Sequence, residues 1–423
     1  MLTSTTPYNR PLGDGLFLKS VCDHSDVERI AALNKQVFGP HEAEFGSSLL
    51  LHHPATRPEH WLYIEDETSK QAVSTLCLIP VEWRYEDVTL KSGEVGIVAT
   101  LDSYRNRGLV RSLMARHREL LHEGQFDLSH IQGIPYFYRQ FGYEYAMPLD
   151  VHWNLELHSL PDKPADNLSY NFRLASVQDI PTLMRFYDEG VKGLDISTVR
   201  SERVWYYLLE QSLSTVVGAE TWLVLDASNQ PVGYFRIPFQ GFGNGLIVNE
   251  TSRMNSEMAT AVLLHLKGVT QERGKPYIRL DLPESNDLLR VAVGFNAHNE
   301  GHYAWQMHLV DVARLLRKLT PVLERRISAS VFAGMTRTLC LNLYREAFEL
   351  CFEKGKLQTV KSIGFTDQWG IKIPPMLLTP LLLGYHSHKE LHDMYPDVSI
   401  DRQYHELVDV LFPKLESFIF TSY

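Results

Sequence analysis

Hydrophobic and polar positions change period most sharply between residues 96 and 124. The apolar run Gly96-Ile97-Val98-Ala99-Thr100-Leu101 reads as a strand. A polar, basic turn follows: Asp102-Ser103-Tyr104-Arg105-Asn106-Arg107-Gly108. From there the period becomes helical. Leu109, Val110, Leu113, Met114, His117, Leu120 and Leu121 share one face of a helix over 107–122, and Gly124 is placed to end it. Upstream, 17–39 gives a strand and then a helix carrying Val27, Ile30, Leu33 and Val37. Strands are expected at 61–64, 73–84, 88–91, 95–100 and 126–132, and 143–155 closes the unit. This order predicts a mixed α/β (α+β) domain with helices against a central sheet.

A polar, proline-containing stretch from Leu157 to Asn167 reads as a linker. The pattern then restarts. Phe172-Arg173-Leu174-Ala175-Ser176 echoes Phe17-Leu18-Lys19-Ser20-Val21, each a strand before a polar cap and an amphipathic helix. A hairpin at 222–225 and 232–237, a helix at 256–274, a strand at 277–282 and Val293-Gly294-Phe295 complete a second copy. From about Val310 the texture differs, with a basic helix, short strands at 339–344, 347–352, 357–360 and 370–373, and apolar helices at 375–384 and 403–411. Three units are therefore expected: 1–157, 158–309 and 310–423.

The strand–turn–helix around Gly108 carries candidate chemistry. The first N–H groups of a helix are unpaired and positively polarised, which suits a phosphate. Arg105, Arg107 and Arg111 add positive charge, and Gly108 allows close backbone approach. Alone, the turn reads equally well as a surface turn before a basic amphipathic helix. The frame Arg105-Asn106-Arg107-Gly108-Leu109-Val110 resembles the acyl-CoA pyrophosphate loop of the GNAT acetyltransferase superfamily, Arg/Gln-x-x-Gly-x-Gly/Ala. It departs at Val110, and Leu101-Asp102 stands where a His-Pro pair is common. A second run, Gly133-Ile134-Pro135-Tyr136-Phe137-Tyr138-Arg139-Gln140-Phe141-Gly142-Tyr143, resembles the Phe-Tyr-x-x-Phe-Gly-Phe/Tyr signature that closes the same core. Tyr136, Phe137, Phe141 and Tyr143 are expected to pack. Tyr138 matches the family's tyrosine that returns a proton to the departing thiolate.

Two such units followed by a different third one resemble the Eis (enhanced intracellular survival) acetyltransferases, whose last domain is similar to a sterol carrier protein. The resemblance is specific in the first unit and architectural in the others. It implies tandem GNAT folds and a V-shaped opening between the fourth and fifth strands of the core. It implies acetyl-CoA as co-substrate, held by Ile97, Val98 and Ala99, by the turn Arg105, Asn106, Arg107, Gly108, Leu109, Val110 and Arg111, and by Gly133 and Ile134. It implies an amine acceptor and a homo-oligomer, with a hexamer as one arrangement. That family places its C-terminal carboxylate in the first domain's active site, which assigns the base to the α-carboxylate of Tyr423 and makes the last side chain interchangeable with Phe. The second copy lacks the basic turn. Asn249-Glu250-Thr251-Ser252-Arg253-Met254-Asn255 stands there with an acidic residue and no glycine, so no acyl-CoA is expected to bind it.

Composition changes this picture little. With 423 residues, 44% of them hydrophobic, the chain can build several cores. No apolar run approaches the ~20 residues that span a bilayer. The first residues lack a basic and then apolar signal. Cys22, Cys77, Cys340 and Cys351 form neither a disulfide framework nor a metal pattern, and a cytoplasmic compartment without membrane association is expected. The net charge of −10 argues against nucleic acid. His386, His388 and His392 match no standard zinc spacing, so no metal is expected. His52-His53 reads as a loop near a substrate entrance or in solvent, and Arg325-Arg326 as a solvated helix face. Two other functions fit the sequence: an acyl-CoA sensor with little turnover, and a carrier of a hydrophobic ligand in the third unit.

Overall fold

The computed structural model describes residues 7–162, 169–367 and 370–423. The first six residues, read above for a signal, and residues 163–168 of the expected linker lie outside the described residues. The first unit runs β1 (Asn9–Gly13), β2 (Leu16–Ser20), α1 (His24–Val37), α2 (Pro40–His52), β3 (Trp61–Asp66), β4 (Ala72–Tyr85), β5 (Val88–Thr100), α3 (Leu109–Glu123), β6 (Leu128–Ile131) and β7 (Glu144–Glu156). Asp23 caps α1 by accepting from Ser25 and Asp26 N–H, and the Asp26 side chain returns the bond. Two differences from the sequence reading have physical causes. Helix α2 hides its period because small and polar residues, Gly46 and Ser48, share its buried face with Leu49 and Leu50. The two strands expected at 88–91 and 95–100 are one, because Ser92, Gly93 and Glu94 are buried at its centre, paired to β6.

The second unit contains β8 (Asn171–Leu174), α4 (Ile180–Gly190), β9 (Ile196–Val199), α5 (Glu202–Tyr206), β10 (Ala219–Leu225), β11 (Pro231–Pro238), β12 (Leu246–Val248), β13 (Glu250–Thr251), α6 (Ser256–Glu272), β14 (Tyr277–Asp281), α7 (Asp287–Gly294) and β15 (His298–Leu309). The two units share strands. β15 lies between β6 and β7 and is antiparallel to both, while β7 goes on to pair with β14. The result is an 11-stranded sheet whose main path is β1-β2-β3-β4-β5-β6-β15-β7-β14-β12, with β9 on β4. Strands β13, β11, β10 and β8 make a second sheet.

The third unit contains α8 (Val312–Lys318), α9 (Thr320–Ser328), β16 (Arg337–Asn342), β17 (Ala347–Glu353), β18 (Lys356–Gly364), β19 (Ile371–Lys372), α10 (Pro375–Leu382), α11 (His388–Met394), β20 (Ser399–Ile400) and α12 (His405–Leu411). Its sheet order is β18-β17-β16-β19-β20. The basic helix is α8, and Pro321 stands in the first turn of a separate helix, α9. Arg325 and Arg326 are not simply a solvated face. Arg325 pairs with Glu86 at 2.6 Å and Asp87 at 2.7 Å, and Arg326 pairs with Glu86 and donates to Leu411 O at 2.6 Å. They tie the third unit to the β4–β5 turn.

Burial keeps four histidines neutral: it lowers His117 on α3 to about 3, and His308 on β15, His53 after α2 and His60 before β3 to about 4. An unfolded histidine titrates near ~6.5. The fold's advantage is therefore complete above that value and is lost as the pH falls through it, because only the unfolded chain takes up these protons. The melting temperature is expected to drop between about pH 7 and pH 5, and His117→Leu to flatten the drop. A wild-type melting temperature that stays level over that range contradicts this.

Candidate active site

β5 and β6 run parallel and paired through Ser92↔Leu128, Gly93↔Ser129 and Glu94↔His130. There the pairing stops, although β5 continues to Thr100. On the β4 side the register shifts between Thr75 and Cys77, and Ile97 takes φ +48°. Ile97 and Val98 form a bulge opposite β4, which kinks the strand at the opening. The expected V-shaped gap is thus present, and Ile97, Val98 and Ala99 lie on its β5 edge.

The gap leads to the start of α3. Gly108 is its N-cap at φ +76°, where a side chain would be strained, and Asn106 has φ +61°. A Cβ on Gly108 would meet nothing within 4 Å, so backbone conformation and not crowding demands the glycine. No side chain caps α3 and its first turn holds no acid. Its N–H groups remain available to an anion. Arg105 and Arg107 are solvent-exposed, paired with Asp102 at 2.8 Å and Asp14 at 3.8 Å. Arg111 is exposed, Val110 is half-buried and Leu109 is core.

On the β6 side, Tyr138 packs directly on Gly133. A Cβ there would lie 2.4 Å from the tyrosine ring and 3.0 Å from Gln306 Nε2. The backbone of this loop is gripped by β15: Tyr303 Oη donates to Gly133 O at 2.6 Å, and Gln306 Nε2 donates to Gly133 O at 3.0 Å and Ile134 O at 3.2 Å. Ile134 remains exposed. Burial raises the Tyr138 pKa, so the phenol keeps its proton. Phe137, Phe141 and Tyr143 pack around it as expected, whereas Tyr136 is exposed.

The end of the chain reaches β5 from the other side. Phe418, Ile419, Phe420, Ser422 and Tyr423 are all buried. Tyr423 Oη donates to Glu94 Oε1, Glu94 Oε2 lies 3.3 Å from His130 Nε2, and His130 Nδ1 meets Ser92 Oγ at 2.8 Å. The tyrosine's side chain is therefore not interchangeable with Phe: removing its hydroxyl strips a buried carboxylate of a donor. Sequence reasoning missed Glu94 and His130 because neither sits in a motif. Their signal was weak, because Glu94 fell in the break expected between two strands and His130 follows another polar residue, Ser129. His53 is a further correction. It does not face solvent, since its Nε2 meets Ser422 O at 3.1 Å while its Nδ1 accepts from Ala55 N–H, and only His52 is exposed. His386, His388 and His392 each have separate neighbours: Asp409 for His388, Val398 O for His392, and Glu390 for His386.

Next to the tail lies a cavity of about 730 Å³, whose lining includes Gln132, the tail residues Phe418 to Thr421, the carboxylates Glu42, Asp150, Glu250 and Asp281, and the cations Arg273 and Lys275. Burial raises Asp150, and raises Asp281 to about 6 despite Arg279 beside it.

Residues 21–146 match the acetyltransferase (GNAT) domain family, so the first unit is a GNAT domain. No curated protein sequence matches the chain. Solved structures match it along nearly its whole length at low identity. A GCN5-related N-acetyltransferase from Anabaena variabilis is 13% identical with a TM-score of 0.69, covering 96% of this chain and 99% of that one. One from Kribbella flavida is 13% identical with a TM-score of 0.66, at 96% and 97% coverage. Eis1 from Mycobacterium abscessus is 14% identical with a TM-score of 0.64, at 96% and 100% coverage. The chain shares their overall fold.

Replacing Gly108 by Glu is expected to abolish acetyl-CoA binding in calorimetry, since it sets a carboxylate at the helix start and strains the turn. Gly108→Ala, which carries the strain without the charge, should weaken binding less. Unchanged affinity in a folded Glu variant would remove this turn from the site.

Proposed function

We propose that the chain transfers an acetyl group from acetyl-CoA directly to a primary amine of a small molecule or a lysine. The carrying observation is the gap between β5 and β6 ending on a helix start with bare N–H groups and three arginines. In this reading the pyrophosphate sits on residues 105–111, the pantetheine pairs with Ile97–Ala99 and Gly133–Ile134, and N–H groups of β5 polarise the thioester carbonyl. The ammonium gives one proton to the base, its nitrogen bonds to the carbonyl carbon, the C–S bond breaks, and the second proton on nitrogen goes to the Tyr138 phenolate once that residue has protonated the thiolate. Tyr138 gives its proton to the leaving thiolate, a role suited to a phenol held protonated. The acceptor enters through the cavity beside Asp150 and Asp281, whose carboxylates suit a cation. The second unit acts without acyl-CoA. The third, a five-stranded sheet with helices, is read as sterol-carrier-like, and the enzyme as a cytoplasmic homo-oligomer.

The base has two readings. The Tyr423 α-carboxylate is the first, supported by the burial of Tyr423 beside Glu94 of β5. The second is Glu94 with His130, favoured by their place at the last paired position before the gap.

Tyr138→Phe is expected to lower kcat by about 10²–10⁴-fold with little change in acetyl-CoA affinity. Gly133→Ala, which pushes the ring aside, should act in the same direction and less. Wild-type kcat in the Phe variant would exclude Tyr138 as the acid.

The base is tested by comparison. Extending the chain by a few residues is expected to depress kcat strongly at an unchanged melting temperature, and Glu94→Gln to depress it less. If extension is harmless and Glu94→Gln abolishes turnover, Glu94 is the base.

Below about pH 6 the KM for an amine acceptor should rise as Asp281 takes a proton, and Asp281→Asn should remove that rise. A KM that does not respond to Asp281→Asn would place the acceptor elsewhere.

A further inference from the structure

In the second unit a cleft lies beside the segment that stands in place of the basic turn, walled by Thr251, Ser252, Arg253 and the start of α7. In the first unit the helix start is bare. In the second, Asn255 fills the corresponding start by accepting from Met258 N–H with its own side chain. The acidic residue of that segment, Glu250, is fully buried and binds Arg200 through two bonds of 2.7 Å, while Tyr234 Oη donates to it at 2.7 Å. Arg200 lies under the rings of Tyr187, at 4.5 Å, and Trp205, at 5.0 Å. A guanidinium so fixed can direct its remaining N–H groups with little loss of freedom. Arg200 Nη2 donates to Thr421 O, two residues from the end of the chain.

Contacts on β9, which ends just before Arg200, repeat this. Thr198 Oγ1 donates to Phe420 O at 2.7 Å, and Phe418 N–H donates to Ile196 O at 3.1 Å. Phe418 and Phe420 are core residues of the second unit, packed with Leu183, Tyr187, Val204 and Trp205. Phe420 also walls a cavity of about 290 Å³ between α4 and the start of α7. The tail thus meets a main-chain acceptor, a side-chain hydroxyl donor, a buried cation and an aromatic pocket, the pattern of an extended peptide bound along a strand.

We propose that the cleft of the second unit is a binding site for the chain's own C-terminal segment, and that Arg200, fixed by Glu250, is the positioning residue that sets Tyr423 against Glu94. Its catalytic consequence rests on the reading above, in which the terminal residue serves the first unit.

The test uses two full-length variants, Arg200→Lys, which keeps the charge beside Glu250 and loses the fork, and Thr198→Val, which removes one bond from a buried site at nearly constant volume. Carboxypeptidase release of Tyr423, hydrogen exchange at residues 417–423, kcat and acetyl-CoA affinity are measured on each. The wild-type tail should resist release. Both variants should release Tyr423 at least about tenfold faster, with exchange raised only in the tail. The kcat should fall by about 10-fold or more at unchanged acetyl-CoA affinity, because a small misplacement of a reacting group is costly. A tail as protected in both variants as in wild type overturns the proposal whatever happens to turnover. A released tail with unchanged kcat supports the binding site and overturns instead the catalytic role given to the terminal residue. If Arg200→Lys fails to fold, Thr198→Val decides by the same readings.

Discussion

One strand, β15, holds the two α/β units to each other and to the site. It pairs with β6 through Gln306↔Ile131 and its neighbours, and with β7 along most of its length. β6 therefore has a partner on its far edge and stays in the sheet after it parts from β5. A strand that diverged without such a partner would leave backbone donors and acceptors unpaired in the interior, at a cost comparable to a lost hydrogen bond for each. The same strand supplies Tyr303 and Gln306, which hold the Gly133 loop against which Tyr138 rests. The gap that makes the fold useful is stabilised by residues about 170 positions away in sequence.

A second constraint is buried charge. Glu94, His130, Arg200, Arg236 and Glu250 are all buried, and each sits beside a partner. Burying a charge is costly unless it is paired and hydrogen-bonded, so these groups fix the arrangement of the elements that carry them. Both clusters meet the C-terminal tail, at the Tyr423 hydroxyl and at Thr421 O. The end of the chain is thereby located by two polar anchors as well as by its aromatic packing.

The sequence showed most of the elements that rest on a local period. The strand–turn–helix at 96–124 and the aromatic turn around Tyr138 stand nearly where the spacing puts them, because apolar spacing and glycine placement encode them locally. The strand exchange was hidden, since nothing in the sequence of β15 says which of two sheets it joins. Glu94 and His130 were hidden for a related reason: a polar residue in a strand reads as an exposed position until the register shows that both faces are covered. The role of Glu250 was seen only by what was missing around it, the glycine and the arginines of a phosphate turn. His53 and the Tyr423 hydroxyl became informative only once the tail was placed beside them.

The most direct measurement is a crystal structure of the protein with CoA bound. The account predicts one CoA per chain, its pyrophosphate on the N–H groups of residues 108–111, its arm between β5 and the Gly133 loop, and its sulfur beside the Tyr138 hydroxyl, with the tail still seated on Glu94. A CoA bound in the cleft of the second unit, or one whose sulfur points away from both Tyr138 and the chain terminus, would contradict it.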